Sequence, residues 1–181
     1  MQSPRRAAPA HIALTTHSTA VGELLLAATD RALVYCGFQD AEVVRQRFAR
    51  AGLGEVAPGE QTPEQTELLA RARVQLDAYL AGERRDFSLP LDLSLATPFS
   101  KETVQALDAF VPYGRTATYA ELAGELARPR ASRAVGTALG ANPLCVVLPC
   151  HRIVASNGAL AGYAGGLTAK RYLLELEQRA A

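Results

Sequence analysis

The stretch Val146-Val147-Leu148-Pro149-Cys150-His151-Arg152-Ile153-Val154 constrains the fold more than any other part of the chain. Aliphatic residues lead into it and predict a short buried strand. Two more apolar residues follow it. A thiol, an imidazole and a guanidinium are thus held between hydrophobic segments. An imidazole that can take a proton and a fixed positive charge are the neighbours that lower a thiol's pKa and make it a nucleophile. A cysteine among apolar residues is also a common inert filler, so the rest of the chain has to decide between the two readings.

At 181 residues the chain fits one domain or two small ones, long enough to bury a sizeable core. No apolar run is long enough to span a bilayer. The start, Met1-Gln2-Ser3-Pro4-Arg5-Arg6, is basic, but no continuous apolar segment follows. No signal peptide is therefore expected, and the cytoplasm is. The three cysteines, Cys36, Cys145 and Cys150, form no regular framework and fit free thiols in a reducing compartment. No metal-ligand spacing stands out, and neither metal nor cofactor is expected.

Residues 1–10, rich in Pro, Arg and Ala, are expected to be disordered. Strands are predicted over 12–16, 22–28 and 32–38, with Thr29-Asp30-Arg31 as the turn between the last two. Asp40 caps a helix to about Arg50. Thr62-Pro63-Glu64-Gln65 opens a second helix with a capping box and proline at its first position. Its apolar stripe is Leu68, Leu69, Ala72, Leu76, Tyr79 and Leu80. Residues 89–93 alternate and predict an edge strand that tolerates Pro90. This half, 1–95, reads as a small α/β domain without chemistry, and Cys36 reads as packing.

The second domain, 96–181, reads as mostly helical. Thr97-Pro98 starts a helix carrying Val104, Leu107 and Phe110. Thr118-Tyr119-Ala120-Glu121 is a capping box for a short helix that Arg128-Pro129-Arg130 breaks. Another short helix follows over about 131–139. Two short helices around a tight break are a candidate helix-turn-helix. The second carries Ala131, Ser132, Ala134, Gly136 and Ala138. A glycine inside a helix costs about 1 kcal/mol relative to alanine, so close approach by another helix or by a nucleic-acid groove is expected. Charge favours the groove. No Asp or Glu occurs over 126–174, whereas Arg128, Arg130, Arg133, Arg152, Lys170 and Arg171 do. A one-sign stretch in a chain of net charge +1 predicts an electropositive face for a polyanion. Gly162-Tyr163-Ala164-Gly165-Gly166 is a glycine-rich loop that lets backbone approach a flat ligand. In the last helix, about 167–179, the spacing of Leu173, Leu176 and Glu177 turns Glu177 inward. A buried carboxylate needs a partner, and His151 is the candidate.

Pro149-Cys150-His151-Arg152-Ile153, with Asn142-Pro143 before it and Gly162-Tyr163-Ala164-Gly165-Gly166 after it, resembles the O6-alkylguanine-DNA alkyltransferases. The likeness is detailed over 97–177. It includes Tyr119-Ala120-Glu121-Leu122-Ala123 and Ser132-Arg133-Ala134-Val135-Gly136. It implies a ribonuclease-H-like α/β domain followed by a mostly α domain with a winged-helix-like helix-turn-helix. The implied activity is irreversible transfer of an alkyl group to Cys150 from O6 of guanine, with O4 of thymine as a further candidate position. The implied partner is duplex DNA carrying the lesion, met by a monomer away from any membrane.

By the same likeness His151 acts as base through a water and Glu177 orients His151. Arg133 fills the gap left by the extruded nucleotide, on a helix whose small residues Ala131, Ser132 and Gly136 enter the groove. Tyr119 crowds the target phosphate and donates to the base. Asn142 ties the recognition helix to the cysteine loop. Tyr163, Ala164 and Gly165 wall the guanine, and the backbone carbonyls of Cys150 and Ile153 accept from its exocyclic amine. Arg152 belongs to the basic DNA-binding set. Two positions depart from the family's pattern. Cys145 stands where many relatives carry a proline at the pocket rim, and Ala164 stands where a serine is frequent. The competing reading is a lesion sensor that binds without transfer, although such relatives lack the cysteine.

Overall fold

The computed structural model describes residues 10–181; the expectation of disorder at the start falls on 1–9, outside the described residues, apart from Ala10, whose carbonyl accepts from the Gly54 amide. The first half is a four-stranded sheet in the order β3-β2-β1-β4. Its strands are β1 His11–Thr19, β2 Gly22–Ala28, β3 Leu33–Gly37 and β4 Gly54–Glu55. The first three form an antiparallel meander, and β4, which the sequence pattern did not reveal, pairs parallel to β1.

Strand β2 is apolar over Leu24-Leu25-Leu26-Ala27-Ala28, which fits a strand buried on both faces. Alternate side chains serve two cores. Leu24, Leu26 and Ala28 join the large core that runs into the second half. Leu25 and Ala27 join Ile12, Val34, Tyr35, Val44 and Phe48 beneath helix α1, Ala41–Arg50. Helix α2, Pro63–Leu80, begins at the capping box read from the sequence, with Thr62 and Gln65 satisfying each other's backbone amides. Its expected stripe is buried throughout.

The outer edge of β3 is covered by two single bridges rather than by a strand. Leu33 pairs with Leu91, and Cys36 pairs with Leu144. The expected edge strand over 89–93 is therefore reduced to one bridging residue. Pro90 accepts from the Leu33 amide through its carbonyl but has no N–H to extend the ladder. The second bridge carries more consequence, because it fastens the segment before Cys150 to the sheet.

The second half holds α3 Pro98–Gln105, α4 Leu107–Phe110, α5 Tyr119–Glu125, α6 Ser132–Gly140 and α7 Gly166–Ala180. A two-residue parallel pairing joins β5, Ala117–Thr118, to β6, Ile153–Val154. The Thr118/Glu121 capping box forms as expected, and α5 and α6 pack against each other as the helix-turn-helix pair. No helix among the described residues is long and apolar enough to cross a membrane.

Candidate active site

Residues 146–148 do not form the expected strand. Leu144 is used by the bridge to Cys36, and the chain then reverses within a few residues: the Val147 amide donates to the Cys145 carbonyl and the Leu148 amide to the Leu144 carbonyl. Val146 sits at φ 70°, the left-handed region that a β-branched residue rarely occupies. Strain of this sort persists where the surroundings over-determine it. Asn142, buried at the end of α6, supplies that constraint. Its Nδ2 donates to the Leu148 carbonyl at 3.1 Å and its Oδ1 accepts from the Leu144 amide at 3.0 Å. Both ends of the turn are thus tied to one residue just past the end of α6.

Beyond Pro149 the chain makes one 3-10 turn, Cys150–Arg152. The three side chains diverge. Cys150 lines a cleft of about 460 Å3 with Tyr119, Gly136, Leu139, Gly140, Gly162, Tyr163 and Ala164. That volume lies in the range of small-ligand sites. His151 and Arg152 point the other way, into the protein, where His151 is fully buried.

The interior partner is Glu177 on α7. His151 Nε2 lies 2.5 Å from Glu177 Oε1, and Arg152 Nε donates to Oε2 at 2.9 Å. The Gly114 amide also donates to Oε2, at 3.1 Å, and the Tyr79 hydroxyl donates to Oε1. Burial alone would raise the carboxyl's pKa, but His151, Arg152 and Tyr79 outweigh it and bring it to about 2. Glu177 is thus ionised and acceptor-only, so His151 Nε2 carries the shared proton. Nδ1 is left with a lone pair and meets no hydrogen-bonding partner among the described residues. Burial holds the imidazole below its ordinary pKa, against the pull of Glu177. A neutral base is what this environment favours.

The Cys150 thiol is pushed below its ordinary pKa. The neighbouring Cys145 thiol is the leading cause; burial opposes it, while Asn142 and the Lys170 ammonium add to it. Cys145 and Cys36 are shifted upward, Cys36 by burial to about 12. The cation that acts on Cys150 is therefore Lys170. It is buried, donates to the carbonyls of Ile153 at 2.6 Å and Ala161 at 2.7 Å, and lies near the Tyr119 ring. The sequence did not single out Lys170 for this position; its place on the inward face of α7, with Ala169 and Leu173, was the available signal.

At the mouth of the cleft, Tyr119, Ala120, Ser132, Arg133, Gly136, Ala155 and Ser156 line a shallower groove. Arg133 is exposed there on α6, and Ala131 is the uncapped residue before the helix. A Cβ on Gly136 would stand 3.7 Å from the Tyr119 ring, an ordinary contact, so no protein neighbour demands glycine. The Tyr119 hydroxyl makes only a long bond, 3.4 Å, to the Ala161 carbonyl.

A matching family model, described as the 6-O-methylguanine DNA methyltransferase DNA-binding domain, covers residues 98–179, and the same family's ribonuclease-like domain covers 12–93. The chain belongs to the 6-O-methylguanine DNA methyltransferase family. It is 37% identical over 161 residues to the inducible methylated-DNA--protein-cysteine methyltransferase of Bacillus subtilis, spanning 86% of this chain and 84% of that one. It is 38% identical over 157 residues to the Methanosarcina acetivorans methyltransferase, spanning 87% and 92%. The crystal structure of Mycobacterium tuberculosis OGT in complex with DNA superposes with a TM-score of 0.74 at 34% identity, covering 94% of each chain.

Within this member of the methyltransferase family, several expected site residues stand elsewhere than the sequence implied. Arg152 is not on a DNA-facing surface. It is buried against Glu177 and donates to the Val111 carbonyl at 2.9 Å, so its charge is neutralised inside. Cys145 does not stand at the rim: it is 2% exposed and lies beneath Cys150. Ile153 is buried and its carbonyl already accepts from Lys170. Gly165 lies behind the wall, so close to the Phe38 ring that a Cβ would meet it. Phe38 also packs edge-on against Tyr163 at 5.6 Å between centroids. Phe38 and Tyr79 come from the half that the sequence left without a role, and both reach the site. Among the described residues no cluster of His, Cys, Asp and Glu is placed to hold a metal ion.

Proposed function

We propose that this protein repairs alkylated DNA by moving an alkyl group from O6 of a guanine, extruded from the duplex, onto its own Cys150. One observation carries the reading: a thiol of lowered pKa at the floor of an open cleft, backed by a buried His151–Glu177 pair, with Arg133 exposed on the helix at the mouth.

The target carbon lies inside a base stack, so the nucleotide must be rotated out at a cost of a few kcal/mol. A helix with small side chains entering the minor groove and Arg133 taking the vacated place in the stack offset that cost. In the cleft, Tyr163 and Ala164 flank the base. The Cys150 proton passes to His151 Nδ1 through a water, while Glu177 holds Nε2. The sulfur attacks the saturated alkyl carbon in line. The S–C bond forms, the C–O6 bond breaks, and the electron pair leaves on guanine. A donor is needed where that charge develops, and the weakly held Tyr119 hydroxyl is in position to give it. Ala164 offers only its backbone N–H where a serine would add a hydroxyl. The thioether is stable, so each molecule acts once.

The test is an intact mass after mixing the protein with duplex DNA carrying O6-methylguanine. The expected gain is one methyl, mapped to Cys150, at one equivalent. Cys150→Ala should bind the same DNA and gain nothing. An unchanged mass of the unsubstituted protein in the presence of tight lesion binding would favour the sensor reading instead.

A further inference from the structure

We infer that Tyr79, from the sheet-bearing half of the chain, is a positioning residue for alkyl transfer: its hydroxyl shares Glu177 Oε1 with His151 and thereby sets how strongly the carboxylate can stabilise a protonated imidazole. This rests on the relay proposed above and deepens it.

The geometry is specific. Glu177 presents two oxygens to four donors. Oε2 takes Arg152 and the Gly114 amide, while Oε1 takes only His151 and Tyr79. The Tyr79 oxygen also stands 3.5 Å from His151 Nε2 itself. Two donors on one carboxylate oxygen compete for its charge, and in a buried site neither is screened by water. Tyr79 is 1% exposed and its ring is fixed between Phe87 at 5.0 Å and Tyr113 at 5.9 Å. Burial and then Glu177 push the phenol's pKa upward, so the hydroxyl keeps its proton and stays a donor. A hydroxyl that drains charge from Oε1 leaves less to hold an imidazolium, which keeps His151 neutral and able to take the Cys150 proton.

The charged and titratable groups that face His151 come from every element packed on it. They are Arg152 from its own turn, Glu177 and Lys170 from α7, Asp108 from α4 and Tyr79 from α2, with the Tyr163 ring at 6.4 Å. Of these, Tyr79 alone can be altered at its hydrogen bond without changing a formal charge near neutral pH or a wall of the cleft.

The test is single-turnover methyl transfer from O6-methylguanine duplex as a function of pH, with the His151 ring followed by NMR in the same samples. Tyr79→Phe keeps the stacked ring. The acid limb of the rate profile and the His151 titration should both move up by about half a pH unit, a roughly threefold loss of rate below the limb. The plateau at higher pH should stay within about twofold of the unsubstituted protein. Replacing Tyr79 by 3-fluorotyrosine, which keeps the shape and strengthens the donor, should move both the other way. An equal loss at every pH with an unmoved limb, or no change at all, would assign Tyr79 to packing and overturn the inference. His151→Gln is the control for the relay. It should slow transfer at least about tenfold and flatten the limb; full activity in that variant would remove the relay, and this inference with it.

Discussion

The Arg152 guanidinium lies 2.9 Å from the Glu177 carboxylate, inside the protein, with side-chain exposures of 5% and 1%. A basic residue beside a reactive cysteine invites the reading that it serves the thiol or the DNA. Here it does neither: it neutralises the carboxylate that holds His151. Breaking a buried pair from one side leaves an uncompensated charge and costs about 3–5 kcal/mol. Arg152→Leu should lower unfolding free energy by that order in urea denaturation, while any duplex affinity that survives should keep its salt dependence. A fall in the number of ions released on binding would return Arg152 to the DNA face.

Acid should unfold the protein in two stages. His151 is held below its ordinary 6.5 by burial, so the unfolded chain binds the proton first. Stability that is complete above about 6.5 is lost as pH falls toward the lowered value. Glu177 has the same sign at lower pH. Its folded value of about 2 lies under the ordinary 4.5, so its contribution is present above about 4.5 and lost as pH falls toward about 2. Urea midpoints measured across this range should show both declines, and His151→Gln should remove the first and shrink the second, since Arg152 and Tyr79 are then left to hold the Glu177 carboxyl down.

The local signals were readable in the sequence because their causes are local. Thr62 with Gln65 and Thr118 with Glu121 form capping boxes whose partners lie three residues apart. Glu177 could be turned inward from its spacing to Leu173 and Leu176. What the sequence concealed depends on distant partners. Tyr79 occupies the same stripe as Leu76 and Leu80, so its spacing marks it as core, and nothing local shows that its hydroxyl reaches Glu177. Val146 and Val147 look like strand residues, yet Cys36 takes the pairing at Leu144 and forces the turn. Arg152 and Lys170 counted toward a basic face until the fold gave them interior acceptors.

Thiol chemistry should be confined to Cys150. Its pKa is lowered and it opens to the cleft, whereas Cys36 is raised to about 12 and Cys145 is raised and covered. One equivalent of iodoacetamide at neutral pH should label Cys150 alone by peptide mass mapping. Cys145→Ala removes the neighbouring thiol that leads in lowering the Cys150 pKa, so labelling of Cys150 should slow and its pH dependence should move upward. Cys145→Ser, which keeps a donor, should recover part of the rate.

Asn142 is the joint between recognition helix and cysteine turn, and its removal should be felt at both ends. Asn142→Ala leaves the Leu144 amide unpartnered in the interior, worth about 1–3 kcal/mol, and takes one of two donors from the Leu148 carbonyl, which keeps the Cys150 amide. It also releases the constraint that holds Val146 at positive φ. A loss of about 1–3 kcal/mol in denaturant unfolding is expected, together with slower alkyl transfer at pH values where Cys150 is already ionised. Normal transfer in a destabilised variant would show that the joint serves folding alone.

Gly136 separates packing from function most cleanly. It lies within α6 at an ordinary helical φ, and a Cβ there would meet only the Tyr119 ring at 3.7 Å. Judged by the protein alone, Gly136→Ala should stabilise by about 1 kcal/mol, since alanine is the better helix former. Judged by the cleft, the added methyl stands between Tyr119 and the groove that also holds Arg133. We expect a higher melting temperature accompanied by weaker binding to duplex DNA, with thiol labelling of Cys150 unchanged. Should the variant melt higher and bind DNA equally well, the small-residue face of α6 would have no part in approaching the groove.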